Sequence, residues 1–283
     1  KHVISQWGDF GGLFNLGTFL GENKYNEPIM VSSTDGVGTK TCFILDNMDR
    51  QEGMKVLGQD IVNHCVNDIL VKGAIPLMFL DYFASSRIES DLVASFVEGV
   101  SMACRENGCS LMGGETAEMP GVYNNGKCDI VGTIMGIVEK NDMIMGKDNI
   151  EAGFLVYGIE SSGPHTNGYS LIRKIYENNP YLEIYPTLLN PHKSYLEEIK
   201  ILVTCGIEIK GLCHITGGGF YDNLPRVLPD NLAVDLNVEI LSPFKELGEI
   251  GGISNRELLT VFNCGYGMLI FVPPRYQDDI SFK

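Results

Sequence analysis

The stretch Ser33-Thr34-Asp35-Gly36-Val37-Gly38-Thr39-Lys40 constrains this chain more than any other. An apolar run, Pro28-Ile29-Met30-Val31, leads into it, and a carboxylate, two glycines and a lysine follow in close order. Glycines let backbone N–H groups curl around an anion, and a lysine adds a point charge. The aspartate suits a magnesium ion bridging phosphate oxygens. The spacing is D-G-x-G-x-K and not G-x-x-x-x-G-K-[ST], so this is not a Walker A loop. Taken alone, the stretch reads equally well as a polar turn closing a strand. The rest of the chain has to decide.

A chain of 283 residues has length for two domains, each with a core of its own. Its formal charge of −15 argues against nucleic acid as a partner, because phosphate backbones are bound by clustered Lys and Arg. Anionic metabolites remain accessible through local devices: glycine nests, helix N-termini, a few cations and Mg²⁺. No apolar run reaches the length of a membrane span, and the opening residues do not read as a signal peptide. The eight cysteines form no C-x-x-C pair and sit mostly in apolar segments, the pattern of core thiols in a cytoplasmic protein. Cys109 and Cys264 are weak candidates for a nucleophile.

Read in order, the residues through Leu20 suggest a strand, and Pro28–Ser33 a second strand delivering the glycine loop. Gly53–Ala74 has helical period, with Asp60, Asn63, His64, Asn67 and Asp68 on one polar arc. That arc carries short acceptors and amides where a solvated helix carries Lys and Glu. It suits metal or ligand work, with a solvated or subunit-facing surface as the alternative. His64 reads as a structural hydrogen-bonder. Strands at Pro76–Phe83 and Asp129–Val138 bracket a helix from Ser90 to Asn107 and a second acidic loop, Gly113-Gly114-Glu115-Thr116-Ala117-Glu118. Alternating strands and helices make this half α/β or α+β.

The polar segment Asn141–Gly153 marks the boundary, giving domains over 1–140 and 150–283. The second half twice repeats one device, a strand followed by small polar residues running into a helix. First comes Ser161-Ser162-Gly163-Pro164-His165-Thr166-Asn167-Gly168 before Tyr169–Tyr176. Then comes Thr216-Gly217-Gly218-Gly219 after Cys213-His214-Ile215, before a helix over Tyr221–Val227. A strand near Asn231–Asn237, helices near Pro243–Leu247 and Asn255–Val261, and a strand over Met268–Val272 complete the pattern.

These stretches together resemble the aminoimidazole ribonucleotide synthetase, or phosphoribosylformylglycinamidine cyclo-ligase, family. The match is carried by TDGVGTK at Thr34–Lys40, GQDIV…VNDIL at Gly58–Leu70, FLDYF at Phe79–Phe83 and GGETAEMPG at Gly113–Gly121. It continues through SSGPHTNGYSLIRKI at Ser161–Ile175, HITGGGFYDNLPRVLP at His214–Pro229 and FNCGYGM at Phe262–Met268. The motifs keep their order over nearly the whole chain.

The resemblance implies a two-domain α/β (α+β) homodimer, its N-terminal domain forming a barrel-like sheet across the subunit interface and its C-terminal domain an α/β layered structure. It implies ATP- and Mg²⁺-dependent ring closure of formylglycinamidine ribonucleotide, and leaves room for fusion to or docking with other purine-pathway enzymes. By the same resemblance Asp35, Gly36, Gly38, Lys40 and Asp60 bind ATP and its phosphates, and Asp35, Asp68 and Glu115 hold Mg²⁺. Thr216, Gly217, Gly218 and Gly219 bind phosphate, and His165, Lys40 and Asn167 are the catalytic set. His214 is expected to be structural. Against the family pattern, the sequence lacks the glycine-bearing segment ahead of the first strand and stops about where a final helix would begin. It also reads Pro191-His192-Lys193-Ser194-Tyr195 where Pro-Thr-Arg-Ile-Tyr is usual. A non-catalytic, dimeric ATP-binding relative is the alternative expectation.

Overall fold

The computed structural model describes residues 2–5 and 11–280, so Phe10 and the closing Ser281-Phe282-Lys283 lie outside the described residues. The chain divides into two compact units, Lys1–Met143 and Ile144–Lys283.

The first unit contains α1 (Leu16–Asn23), β1 (Pro28–Gly36), α2 (Lys40–Asn47), α3 (Arg50–Leu70), β2 (Ile75–Ser85), α4 (Ser90–Glu106), β3 (Ser110–Glu118) and β4 (Cys128–Glu139). The opening is therefore helical over Leu16–Asn23 rather than a strand. Asn15 caps α1 by accepting from the Thr18 N–H. The strands form an open sheet in the order β1-β4-β2-β3, antiparallel except for β2 and β3, whose connection runs through α4. One chain closes no barrel. β1 and β3 both extend further than the sequence suggests: Asp35 and Gly36 end β1, and Gly113–Glu118 belong to β3 and not to a loop. Both stretches are drawn into the ladder by backbone pairing, which polar side chains on an exposed strand end do not oppose.

α3 is the central post of this unit. Asp49 caps it by accepting from Gln51 and Glu52 N–H groups. Its apolar side (Ile61, Val62, Cys65, Val66, Ile69) is fully buried, yet Asp60, Asn63, His64 and Asn67 are buried as well. The polar arc is thus not a solvated face. α3 and α4 approach so closely at Gly58 and Gly99 that a Cβ on either would strike the other helix's backbone, at Phe96 O and Lys55 O.

The second unit contains α5 (Gly146–Asn149), β5 (Leu155–Glu160), α6 (Tyr169–Asn178), α7 (Leu196–Thr204), β6 (Gly211–His214), α8 (Gly219–Asn223), α9 (Phe244–Gly251), α10 (Asn255–Val261) and β7 (Tyr266–Val272). Its sheet has the order β5-β7-β6, with β7 antiparallel to both neighbours. β5 and β6 therefore run the same way and end at the same edge. The helix expected over Tyr221–Val227 starts earlier and is shorter, passing into a 3₁₀ turn at Leu224–Arg226. Residues 231–237 keep the alternating exposure of a strand but join neither ladder.

Candidate active site

In the first unit, β1 and α3 bring three side chains together. His64 Nε2 lies 3.0 Å from Asp35 Oδ2 and 3.8 Å from Asp68 Oδ2. Ser33 Oγ donates to Asp68 Oδ2 at 2.9 Å, and the Gly36 N–H donates to Asp35 Oδ1 at 2.6 Å. His64 is buried, whereas the side chains of Asp35 and Asp68 are 44% and 22% exposed. The carboxylates thus sit at a surface with the imidazole behind them. Burial by itself would raise the Asp35 pKa, but the His64 hydrogen bond and charge, with the Gly36 N–H, outweigh it and hold the carboxyl below its usual range. Burial likewise opposes protonation of His64, and the Asp35 and Asp68 carboxylates overcome it, raising its pKa.

Beyond Asp35 the chain turns through Gly38, exposed at φ 66°, where a side chain would be strained. α2 then begins without a side-chain cap at Thr39. Its leading N–H groups carry the positive end of the helix dipole, which favours an anion. Two hard carboxylates beside such a terminus fit Mg²⁺ and a polyphosphate in chemical kind.

Lys40 is not presented to that surface. Its Nζ is buried and donates to the equally buried Asp60 at 2.8 Å. The pair ties the start of α2 to α3. Burial pushes the Lys40 ammonium down from its ordinary pKa, with Asp60 opposing.

Glu115 is also not brought to Asp35 and Asp68. Register runs Gly36–Val131–Tyr82–Glu115 across β1, β4, β2 and β3, so three strand spacings of about 4.8 Å separate it from β1. Directly paired residues share a face, so Glu115 lies on the sheet face opposite Asp35. A single chain cannot gather the expected three metal ligands.

In the second unit the two glycine loops emerge at the shared edge of β5 and β6. Asn223 fastens the Thr216–Gly219 loop by donating to the carbonyls of Thr216, Gly217 and Gly219, and its Oδ1 accepts from Thr216 Oγ1 at 3.2 Å. Asn263 fastens the other loop: its Nδ2 donates to Gly163 O at 2.9 Å while its Oδ1 accepts from the Gly265 N–H. Asn167 stands between the loops, its Oδ1 3.2 Å from where a Gly217 Cβ would be. Its Nδ2 has no hydrogen-bond partner among the described residues. His165 is only 1% exposed, adopts φ 61°, and stacks its ring on His192 at 4.0 Å between centroids. His214, expected to be structural, is buried with its Nε2 3.2 Å from His192 Nε2. Cys264 is fully buried with its thiol pushed up to about 12 by burial, the opposite of an activated nucleophile.

Both halves match known sequences. The profile described as "AIR synthase related protein, N-terminal domain" matches residues 24–138, and the corresponding C-terminal domain profile matches residues 151–280. The chain belongs to the AIR synthase related family. It is 42% identical to the phosphoribosylformylglycinamidine cyclo-ligase of Alkaliphilus oremlandii (strain OhILAs), over 99% of this chain and 83% of that protein. It is 45% identical to the enzyme of the same name from Burkholderia vietnamiensis (strain G4 / LMG 22486), over 98% of this chain and 79% of that protein. A crystal structure of hydrogenase maturation protein HypE in complex with ATP superposes with a TM-score of 0.61 at 16% identity, covering 89% of this chain and 70% of that one. This likeness establishes the mixed α/β fold.

Within this AIR synthase related framework, two residues, Asn223 and Asn263, have a place in the sites that the sequence did not single out, and His64, read there as a structural hydrogen-bonder, takes a position at the carboxylates. His64 bridges the two carboxylates, and its signal was the i, i+4 spacing to Asp68 on α3. Asn223 and Asn263 hold the loops, and nothing local distinguishes them from ordinary surface amides.

Proposed function

We propose that this chain is an ATP-dependent cyclo-ligase that closes the imidazole ring of formylglycinamidine ribonucleotide, forming aminoimidazole ribonucleotide, ADP and phosphate in de novo purine biosynthesis. The observation that carries the proposal is the pairing of Asp35 and Asp68 at an uncapped helix start in a chain whose cyclo-ligase relatives match over nearly its whole length. The non-catalytic alternative finds no comparable support.

The substrate's formyl amide carbon is a poor electrophile, and ATP supplies the phosphoryl group that makes its oxygen a leaving group. Positioning and electrostatics dominate such transfers. Asp35 and Asp68 are the proposed Mg²⁺ ligands, held in place by Ser33 and His64. Gly36, Gly38 and the first N–H groups of α2 are proposed for the ATP phosphates. Lys40 and Asp60 contribute by fixing α2 against α3, a revision of the direct phosphate contact suggested by sequence.

In the second unit, Asn167 is proposed to clamp the substrate and Thr216–Gly219 its ribose phosphate, with His165 proposed to orient the reacting amide. Glu115 joins the metal site only if a second copy supplies it. A homodimer is further supported by the open sheet face, where Met30 is 54% exposed and Met78, Leu80, Tyr82, Val131 and Met135 are half-buried. The test is formation of ADP and aminoimidazole ribonucleotide from ATP, Mg²⁺ and formylglycinamidine ribonucleotide. Absence of product from folded protein would refute the proposal.

A further inference from the structure

Three of the five histidines meet inside the second unit: His165 from the loop after β5, His192 from the segment before α7, and His214 from the end of β6. All are buried, at 1%, 1% and 7% exposure. Each can offer a ring nitrogen, and the three nitrogens lie within 4.8 Å of one another. We infer that these histidines form a binding site for one borderline transition-metal ion, Zn²⁺ or a chemically similar divalent cation.

The spacing of the central pair carries the inference furthest. His192 Nε2 and His214 Nε2 are 3.2 Å apart. Two imidazole nitrogens bound at about 2.0–2.1 Å to one tetrahedral zinc stand about 3.3–3.4 Å apart. The pair therefore already has the edge length of a tetrahedral site. His192 also has an outer partner: its Nδ1 lies 3.5 Å from Thr166 Oγ1. A proton held on Nδ1 toward that hydroxyl leaves Nε2 as the lone-pair atom, the tautomer a metal needs.

His165 supplies the third nitrogen. Its ring lies against β7 at Gly267, where any side chain would collide with His165 Cε1 and the Tyr195 hydroxyl. The ring planes of His165 and His192 are stacked 19° apart, so shared ligation requires His165 to turn about its side-chain bonds and aim a nitrogen at the ion. No carboxylate completes the set of three, and imidazole nitrogens select Zn²⁺, Co²⁺, Ni²⁺ or Cu²⁺ over Mg²⁺. The site thus differs in chemistry from the carboxylate pair of the first unit. The inference stands on the second unit's geometry and not on the cyclo-ligase reading.

The test uses the full chain, stripped with a chelator and titrated with Co²⁺. The expected result is one Co²⁺ per chain with visible ligand-field absorption of a tetrahedral nitrogen site, no thiolate charge-transfer band, displacement by Zn²⁺ and none by excess Mg²⁺. His192→Ala should weaken Co²⁺ binding at least tenfold while its circular dichroism stays that of the parent. In unsubstituted protein, Zn²⁺ should shift the ring ¹⁵N resonances of His165, His192 and His214. This readout decides the matter should His192→Ala fail to fold. Absent ligand-field absorption, a thiolate band, full-strength binding by folded His192→Ala, or a Zn²⁺ response at His64 in place of these three would each overturn the inference. Cyclo-ligase turnover is measured separately, so loss of either conclusion leaves the other intact.

Discussion

Replacing Lys40 with alanine separates two accounts of this residue. Lys40 Nζ and Asp60 Oδ1 are 2.8 Å apart and neither side chain is exposed. At an effective dielectric of about 20 their gross attraction is about 6 kcal/mol, and desolvation of each ion offsets several kcal/mol of it. The intact pair therefore contributes little net stability, but removing one partner strands a buried charge at a cost of about 3–5 kcal/mol. For a unit of this size that lowers the thermal midpoint by on the order of 10 °C. Lys40→Met with Asp60→Leu removes both charges and should recover most of the loss. The assay is urea and thermal unfolding of the single and double variants by circular dichroism, with turnover measured on each. If Lys40 instead acts directly on phosphate, Lys40→Ala keeps its stability and loses about 3–4 kcal/mol of barrier lowering. An unchanged unfolding midpoint in Lys40→Ala, or a double variant no more stable than the single, would refute the structural account.

Asp68→Asn should raise the Mg²⁺ concentration for half-maximal turnover at least ~10-fold, equivalent to about 1.4 kcal/mol; an unaltered magnesium titration would remove Asp68 from the metal site. Gly58→Ala or Gly99→Ala should cost about 1–3 kcal/mol or more, because a methyl there forces α3 and α4 apart, and urea midpoints will report it. Asp81, pushed up to about 6 by burial, should make the first unit less stable as pH rises. Its folded pKa is raised, so its stabilising effect is complete below the ordinary carboxylate pKa and lost as pH climbs through about 6. Asp81→Asn should then raise the unfolding free energy at about pH 8 by up to ~2 kcal/mol, allowing for its partial solvent exposure, and do little near about pH 4. Equal effects at both pH values would contradict the shift.

Much of the framework was legible because it depends on local periodicity. The helix Ser90–Glu106, the start of β1 at Pro28 and the bounds of α10 follow from apolar spacing, although Ser90, read as a cap, is the first helical residue and Glu89 before it makes no side-chain cap. Strand ends were less legible: Gly-Glu-Thr-Ala-Glu reads as a loop until β2 offers it a ladder. Asn231–Asn237 shows the reverse, an alternating stretch with no ladder to join. Within the site, Asp35 and Asp68 could be chosen as candidate metal ligands from residue type and motif, and the structure brings both to His64. Lys40 could not be placed, since a lysine in a glycine loop looks the same whether it faces phosphate or a buried aspartate.

The sequence by itself determined the chemistry on offer: carboxylates beside a glycine turn, two small-residue loops ahead of helices, and a strongly acidic net charge. Tertiary structure alone decided which groups meet. Asp35 and Asp68 converge because β1 packs on α3, Glu115 is excluded by three strands and a sheet face, and His165, His192 and His214 gather from three separate elements. The physical reason is one of range. Periodicity and capping act over a few residues along the chain, while pairing of charges and ligand nitrogens depends on distances set by sheet register and helix packing between segments far apart in sequence.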